Sequence, residues 1–154
     1  MARCSLVKRG EIPTNISPGI EDTVAGIFIR GGKFLVEKRR NDDDSDPGFV
    51  SIPGGFVSIP GGHVEKGESL HEALNREMKE ELGITIGKSH SVYMGLHKTT
   101  SGERDRIHYF LIENWKGRII SHEAESLYWE SDPRNLTATV DRKAMKRVQA
   151  RLRE

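Results

Sequence analysis

The sequence predicts an α/β fold in a single domain that spans residues 1–154. Three observations lead to this prediction: two apolar runs joined by a pair of glycines, one capped amphipathic helix, and several apolar segments of strand length between that helix and a second one. A domain of this size buries roughly two-thirds of the surface that its unfolded chain exposes. A hydrophobic core can therefore support the fold without disulfide bonds.

The composition argues against several classes of protein. Cys4 is the only cysteine, which excludes a disulfide framework and favours a reducing, cytoplasmic compartment. Apolar runs such as residues 24–29 are far shorter than the ~20 residues that span a bilayer, and the first residues lack the apolar centre of a secretory signal. Lys and Arg total 24 against 23 Asp and Glu, so no overall field favours membranes or nucleic acid.

The first third of the chain predicts a β-hairpin. Residues 1–21 contain prolines and read as a leader or an edge strand. The apolar runs 23–30 and 33–39 flank Gly31 and Gly32, a pairing typical of a tight turn between antiparallel strands. Residues 41–48 are a polar loop.

A helix is predicted over residues 70–82. Ser69 and Glu72 form a capping box that begins the helix at Leu70, and Gly83 is expected to end it in the left-handed conformation. At 100° per residue, the apolar side chains cover an arc of about 120° that faces the core. These side chains are Leu70, Leu74, Met78 and Leu82.

The second half of the chain predicts three strands and a closing helix. The strands are expected at residues 91–97, 107–113 and 118–121. The helix is expected from about Asp141, because apolar residues recur every four positions at Ala144, Val148 and Leu152.

Three glutamates on the first helix require an explanation beyond solvation. Glu77, Glu80 and Glu81 stand at i, i+3 and i+4, where like charges repel, and Glu81 falls inside the apolar stripe. Burying a carboxylate is costly unless its charge is compensated. A divalent cation such as Mg²⁺ or Mn²⁺ would remove the conflict. The alternative is a solvated face in which Arg76 and Lys79 pair with the glutamates.

The surrounding residues decide between these readings. From Gly62 to Ile84 the chain matches the pattern G-x5-E-x7-R-E-U-x-E-E-x-G-U, with U aliphatic, at all nine fixed positions. This pattern is the signature of the Nudix hydrolases, which the chain therefore resembles. The MutT-type branch is most similar, on the evidence of Lys38-Arg39-Arg40 at a strand end, the Pro-Gly-Gly before the motif, and Glu113, Trp115 and Trp129 after it.

The resemblance implies an α/β/α sandwich with a mixed sheet and a loop-helix-loop catalytic motif. It also implies metal-dependent hydrolysis of a pyrophosphate bond in a nucleoside diphosphate linked to a group X. The metal ligands would be Glu77, Glu80, Glu81, Glu123 and a carbonyl of Gly61 or Gly62. Either Glu77 or Glu123 would be the general base, Arg76 would orient Glu77, and Glu68 would clamp Arg76. Gly62, Glu68 and Gly83 would be structural.

The substrate is less defined. Arg39 and Arg40 could touch phosphates, or could lie in solvent. A nucleoside triphosphate giving a monophosphate and pyrophosphate is the first expectation. The alternatives are ADP-ribose or another nucleotide sugar, and a non-catalytic nucleotide-binding module. The expected partner is a small-molecule nucleotide, and a homodimer could use the loop at 41–55.

A perfect tandem repeat precedes the motif: FVSIPGG occupies residues 49–55 and again 56–62. The second copy supplies Gly62, six residues before Glu68. Shifting a strand by seven residues, an odd number, would exchange its inward and outward faces. Neither copy can therefore replace the other through a simple change of register. We predict that residues 56–59 form the strand that enters the site, while 49–55 lengthen the preceding loop or fold back as a hairpin. A functional insertion and a neutral duplication are equally compatible with this pattern.

Overall fold

A computed structural model describes residues 19–39, 56–98, 102–122, 124 and 126–153. In these ranges the helices are α1 (Leu70–Leu82) and α2 (Thr139–Leu152), with a 3-10 turn at Pro133–Asn135. The strands are β1 (Ile20–Ile27), β2 (Ile29–Arg30), β3 (Lys33–Arg39), β4 (Phe56–Ser58), β5 (Gly61–His63), β6 (Thr85–Ile86), β7 (Ser89–Lys98), β8 (Arg104–Ile112), β9 (Trp115–Lys116) and β10 (Ser126–Glu130). No helix in these ranges has the length and apolarity needed to cross a lipid bilayer.

The strands form a mixed arrangement, as predicted. One sheet has the order β5-β1-β8-β7, in which β1 and β8 run parallel and the other pairs are antiparallel. A second sheet has the order β10-β3-β2, with β4 also paired to β3. Two apolar cores flank these strands: one contains the buried face of α1 and the other that of α2. This layering is the α/β/α sandwich expected from the sequence.

The predicted hairpin is confirmed only in its second half. Gly31 and Gly32, both with positive φ, join β2 to β3. Phe28 separates β1 from β2, and its ring packs edge-on against Trp115. Strand β1 belongs to the other sheet.

Helix α1 is confirmed at both ends. The Ser69 side chain accepts from the Glu72 N–H, the Glu72 side chain accepts from the Ser69 N–H, and Gly83 closes the helix at φ 71°. The Gly83 N–H donates to the carbonyl of Lys79. The predicted apolar stripe is buried.

Helix α2 begins at Thr139, earlier than predicted, and its buried apolar face ends at Val148, before the predicted Leu152. Ala144 and Val148 are buried, but the side chain of Leu152 is 55% exposed. The prediction for Leu152 is wrong because the core packed against α2 ends at Val148.

The strand predicted at 118–121 is also wrong. The Ile120 N–H donates to the carbonyl of Leu82 and the His122 N–H donates to the carbonyl of Glu81. The N–H groups of this loop therefore hydrogen-bond to the free carbonyls of the last turn of α1 rather than to a neighbouring strand. The strand in this region is β9, which pairs with β6.

The second copy of the repeat enters the fold as predicted. Residues of β4 pair with β3, Ser58 lying opposite Glu37, and the chain then turns at Pro60 into β5. Residues 49–55 lie outside the described residues, so the prediction for the first copy stays a prediction.

Candidate active site

Helix α1 partly buries Glu77 and Glu81 and exposes Glu80. The side chain of Glu77 is 12% exposed and that of Glu80 is 51% exposed. Glu81 is half-buried, and its Oε2 atom is shielded from solvent. The acidic face is therefore set partly inside the protein, as the position of Glu81 in the apolar stripe predicts.

Arg76 organises this face. Its Nε and Nη2 atoms donate to the two carboxylate oxygens of Glu68, at 2.7 Å and 2.8 Å. Its Nη1 donates to Glu77 Oε1 at 2.7 Å and reaches Glu80 Oε2 at 3.3 Å. Nη2 also donates to the carbonyl of His63 at 2.9 Å. The predicted contacts of Arg76 with Glu68 and Glu77 are confirmed.

These contacts shift the pKa values of Glu68 and Arg76. The hydrogen bonds from Arg76 hold the pKa of Glu68 below its usual value, and the carboxylates of Glu68 and Glu77 raise the pKa of Arg76 further above neutrality. Glu68 also accepts from the Glu65 N–H, which ties the loop before α1 to the same carboxylate. Both groups are charged across the physiological pH range.

Gly62 lies directly against Glu77. A Cβ atom added to Gly62 would come within 2.2–2.4 Å of the Glu77 carboxylate atoms, closer than van der Waals contact permits. The Glu77 carboxylate therefore rests on the backbone of β5, and a side chain at position 62 would displace it. This contact explains why glycine is needed six residues before Glu68.

The register of β5 shows which of its carbonyls are directed toward the site. Gly62 pairs with Val24 of β1, and flanking bonds join the Gly26 N–H to the Pro60 carbonyl and the Val64 N–H to the Asp22 carbonyl. In an antiparallel ladder, alternate residues direct their peptide groups away from the partner strand. Gly61 and His63 are those residues, and the His63 carbonyl meets Arg76 on that side.

Gly61 is therefore the better metal-ligand candidate of the two glycines. Its carbonyl faces the same side as that of His63, on the edge of a sheet that ends at β5. The Gly62 carbonyl instead faces β1. The sequence left this choice open, because it depends on the register.

Thr137, just before α2, and Asp141, in the first turn of α2, hold the strand that enters the site. Val57 and Thr137 exchange two hydrogen bonds, from the Val57 N–H to Thr137 Oγ1 at 2.9 Å and from the Thr137 N–H to the Val57 carbonyl at 3.0 Å. The Ile59 N–H donates to Asp141 Oδ2 at 3.4 Å. Sequence reasoning missed this role of Asp141, because it joins residues 82 positions apart.

Asp141 is a buried carboxyl with a shifted titration. Burial raises its pKa to about 6, although hydrogen bonds from the Tyr109 hydroxyl and the Ile59 N–H work in the opposite direction. The pKa of Tyr109 is raised far above its usual value by burial and by the neighbouring Asp141. The pair occupies the core on the α2 side.

The remaining predicted site residues are placed in part. Arg39 ends β3 opposite Phe56 of β4 and is half-buried. Two residues earlier, the buried Glu37 accepts from the Ser58 hydroxyl at 3.4 Å. Gly83 contacts the His122 ring beyond the end of α1. Arg40 and Glu123 lie outside the described residues.

A second group of ionisable residues lies apart from α1. Potential ligand atoms of Glu21, His63 and Asp105 lie within 4.8 Å of one another, with His63 Nδ1 at 2.9 Å from Glu21 Oε2. Sequence reasoning missed this group because β1, β5 and β8 bring it together. The contact between His63 and Glu21 accounts for the grouping as an ordinary interaction between side chains.

Comparison with known proteins gives a consistent result. The sequence model of the NUDIX domain matches residues 21–148. The CTP pyrophosphohydrolase of Escherichia coli (strain K12) is 33% identical over 111 residues, which cover 70% of this chain and 73% of that protein.

Solved structures agree with this match. The solution structure of the E. coli ORF135 protein superposes with a TM-score of 0.69 at 28% identity, covering 85% of this chain and 89% of that one. The crystal structure of a MutT NUDIX hydrolase from Burkholderia pseudomallei gives 0.70 at 25% identity, covering 84% and 98%.

Proposed function

Because this chain belongs to the Nudix family of pyrophosphohydrolases, we propose that it cleaves a nucleoside triphosphate into a nucleoside monophosphate and pyrophosphate. CTP is the first substrate to test, since the E. coli relative that covers most of this chain is a CTP pyrophosphohydrolase. The proposal keeps ADP-ribose and other nucleotide sugars as the competing substrates.

The arrangement around Arg76 is the observation that carries the proposal. One guanidinium contacts Glu68, Glu77 and Glu80, and Glu81 follows on the same helix. Like charges at these spacings repel one another, and a divalent cation among them would relieve the repulsion. The arrangement therefore supports a site for a positively charged ligand.

Nudix hydrolases generally use a divalent metal ion, and the residues here fit one. The proposed ligands are the carboxylates of Glu77, Glu80 and Glu81 and the carbonyl of Gly61, with Glu123 as a further ligand from the sequence motif. All of these donors are oxygen atoms, the ligands that Mg²⁺ and Mn²⁺ prefer. We therefore propose Mg²⁺ or Mn²⁺ as the ion.

Such an ion would neutralise the charge of the phosphates and favour ionisation of the attacking water. Within the chain, Arg76 fixes Oε1 of Glu77, so that the carboxylate is oriented before substrate arrives. Glu77 then accepts the proton of the water whose oxygen bonds to the α- or β-phosphorus, while the bond from that phosphorus to the oxygen bridging the two breaks, and the departing pyrophosphate or nucleoside monophosphate takes the electron pair. Glu123 is the alternative proton acceptor.

Arg39 is proposed to contact the phosphates. It ends the strand that pairs with β4, two residues after the buried Glu37, and its guanidinium can donate two hydrogen bonds to a phosphate group. Arg40 shares this assignment from the sequence.

The test is a substrate panel of the four ribonucleoside triphosphates, their deoxy forms, ADP-ribose and a dinucleoside polyphosphate, each with Mg²⁺, Mn²⁺ or EDTA. The expected result is metal-dependent release of pyrophosphate and CMP from CTP. Faster cleavage of ADP-ribose than of any triphosphate would replace the proposed substrate. Saturable nucleotide binding without turnover of any compound would instead favour a non-catalytic module.

A further inference from the structure

A cleft of about 610 Å³ lies beside the loop that follows β9, which is hydrogen-bonded to the C-terminal end of α1. Its lining includes Arg30, Leu35, Trp115, Arg118, Leu127 and Trp129. The carboxylates of α1 are absent from the described lining, so the cleft is distinct from the acidic site. Small-molecule sites in proteins commonly measure about 300–1,000 Å³ and combine apolar walls with a few polar groups.

The walls of the cleft are aromatic and cationic. The Arg30 guanidinium lies 5.6 Å from the ring centroid of Trp115 and 5.0 Å from that of Trp129. Phe28, fully buried, packs edge-on against Trp115 at 5.2 Å and fixes the position of that indole. A planar charged group and two indole faces are thus held together on rigid elements.

The charged side chains that line the cleft, among the described residues, are all positive. Among the described residues that line it, the charged groups are Arg30 and Arg118, and both side chains are exposed. Across the described ranges, neither guanidinium has a carboxylate within ion-pair distance. Guanidinium groups bind phosphates through paired, charge-assisted hydrogen bonds, and indole faces stack on nucleobases.

We propose that this cleft binds a nucleoside monophosphate as a second nucleotide site. The base would stack on the Trp115, Arg30 and Trp129 group, and the phosphate would pair with Arg118. The ligand class follows from charge complementarity and from the flat aromatic walls. The inference rests on the proposed function only for the choice of CMP, the expected product, as the probe.

The site is coupled to catalysis through one loop. Gly117, Arg118, Ile119 and Ser121 line the cleft, while the N–H groups of Ile120 and His122 in the same loop bond to the carbonyls of Leu82 and Glu81. Gly83 lies against the His122 ring. A ligand that orders this loop therefore also holds the last turn of α1, which carries Glu81.

The chain offers a direct readout, because both of its tryptophans line the cleft. The experiment is a titration of the protein with CMP in EDTA, followed by tryptophan fluorescence and by calorimetry. The expected result is a saturable signal with one CMP per chain. Replacing Arg118 by Gln removes the charge-assisted hydrogen bonds to the phosphate, and replacing Arg30 by Gln removes the cation of the stacking group. Each change should weaken binding at least roughly tenfold.

Two control variants locate the binding. Arg147→Gln removes another arginine stacked on an aromatic ring, 5.9 Å from Tyr93, and should leave the affinity unchanged. Glu81→Gln alters the acidic site and should also leave it unchanged, which separates this inference from the proposed hydrolysis. Hydrogen exchange of the Ile120 and His122 amides should slow on binding.

The proposal is overturned if CMP gives no saturable signal. It is equally overturned if both Arg30→Gln and Arg118→Gln, folded by circular dichroism, bind CMP as tightly as the wild type.

Discussion

Arg76 holds both carboxylate oxygens of Glu68, from Nε at 2.7 Å and from Nη2 at 2.8 Å. This two-pronged contact fixes the guanidinium plane, and the remaining Nη1 then meets Glu77 at 2.7 Å. Glu68 therefore acts on Glu77 through Arg76. A single planar side chain joins the loop before α1 to the carboxylate proposed to take part in catalysis.

Replacing Arg76 by Lys should lower kcat by roughly 10- to 100-fold, the usual cost of losing a group that orients a metal ligand. The charge is retained, but an ammonium group cannot make the paired contact. Steady-state hydrolysis of the best substrate measures the effect. Arg134→Lys is the matched control, because Arg134 makes a similar paired contact with Asp132 on the exposed surface. Equal activity of the two variants would contradict the orienting role.

Replacing Gly62 by Ala should abolish most activity while leaving the protein folded. The new methyl would lie within 2.4 Å of the Glu77 carboxylate and would push it from its place. The tandem repeat supplies the control: Gly55→Ala makes the same change in the same local sequence of the first copy. Turnover and thermal melts of both variants are compared. Loss of activity in Gly55→Ala, with Gly62→Ala active, would reverse the assignment of the copies.

Replacing Glu81 or Glu80 by Gln should reduce turnover by at least roughly 100-fold, because a neutral amide is a poor ligand for a hard cation. The size and hydrogen-bonding shape of the side chain are nearly preserved, so the melting temperature should change little. Glu113→Gln, a change at an exposed ion pair with Lys88, is the control and should keep full activity. Full activity in both α1 variants would remove these residues from the ligand set.

The buried Asp141 predicts a pH dependence of stability. Burial raises its pKa from 3.8 to about 6, so the folded chain binds this proton more tightly than the unfolded chain. The protonated carboxyl of Asp141 therefore stabilises the folded chain fully at pH values below its pKa in the unfolded chain. This stabilisation is lost as the pH rises through the pKa of Asp141 in the folded chain. From about pH 4 to pH 7 the unfolding free energy of the wild type should fall by roughly 2–3 kcal/mol relative to Asp141→Asn.

Urea unfolding of both proteins at several pH values measures this difference. Asp132→Asn is the control with the opposite sign, because Arg134 lowers the pKa of the exposed Asp132. A constant difference between the wild type and Asp141→Asn across this range would contradict the assignment.

The features predicted from the sequence are those with local causes. Helix α1 is specified by its cap at Ser69, its stop at Gly83 and its apolar period, all within one short segment. The contact of Arg76 with Glu68 is expected from the resemblance to the Nudix hydrolases, whose signature contains both residues within a short stretch of chain. Such signals act between residues that are close in sequence, so they can be recognised without knowledge of the rest of the fold.

The features that were missed depend on register and on long-range packing. The preference for the Gly61 carbonyl follows from the pairing of β5 with β1, and the bond between Asp141 and Ile59 spans the chain. The loop at 118–121 resembled a strand, but its N–H groups bond to the carbonyls of Leu82 and Glu81. Sequence periodicity carries no information about such partners.

Manganese binding followed by electron paramagnetic resonance tests the central claim most directly. The ion is titrated into the wild type, Glu81→Gln and the control Glu113→Gln. The account predicts saturable binding to the wild type and to Glu113→Gln, with affinity lost in Glu81→Gln. Equal manganese affinity in all three proteins would contradict a metal site on the acidic face of α1.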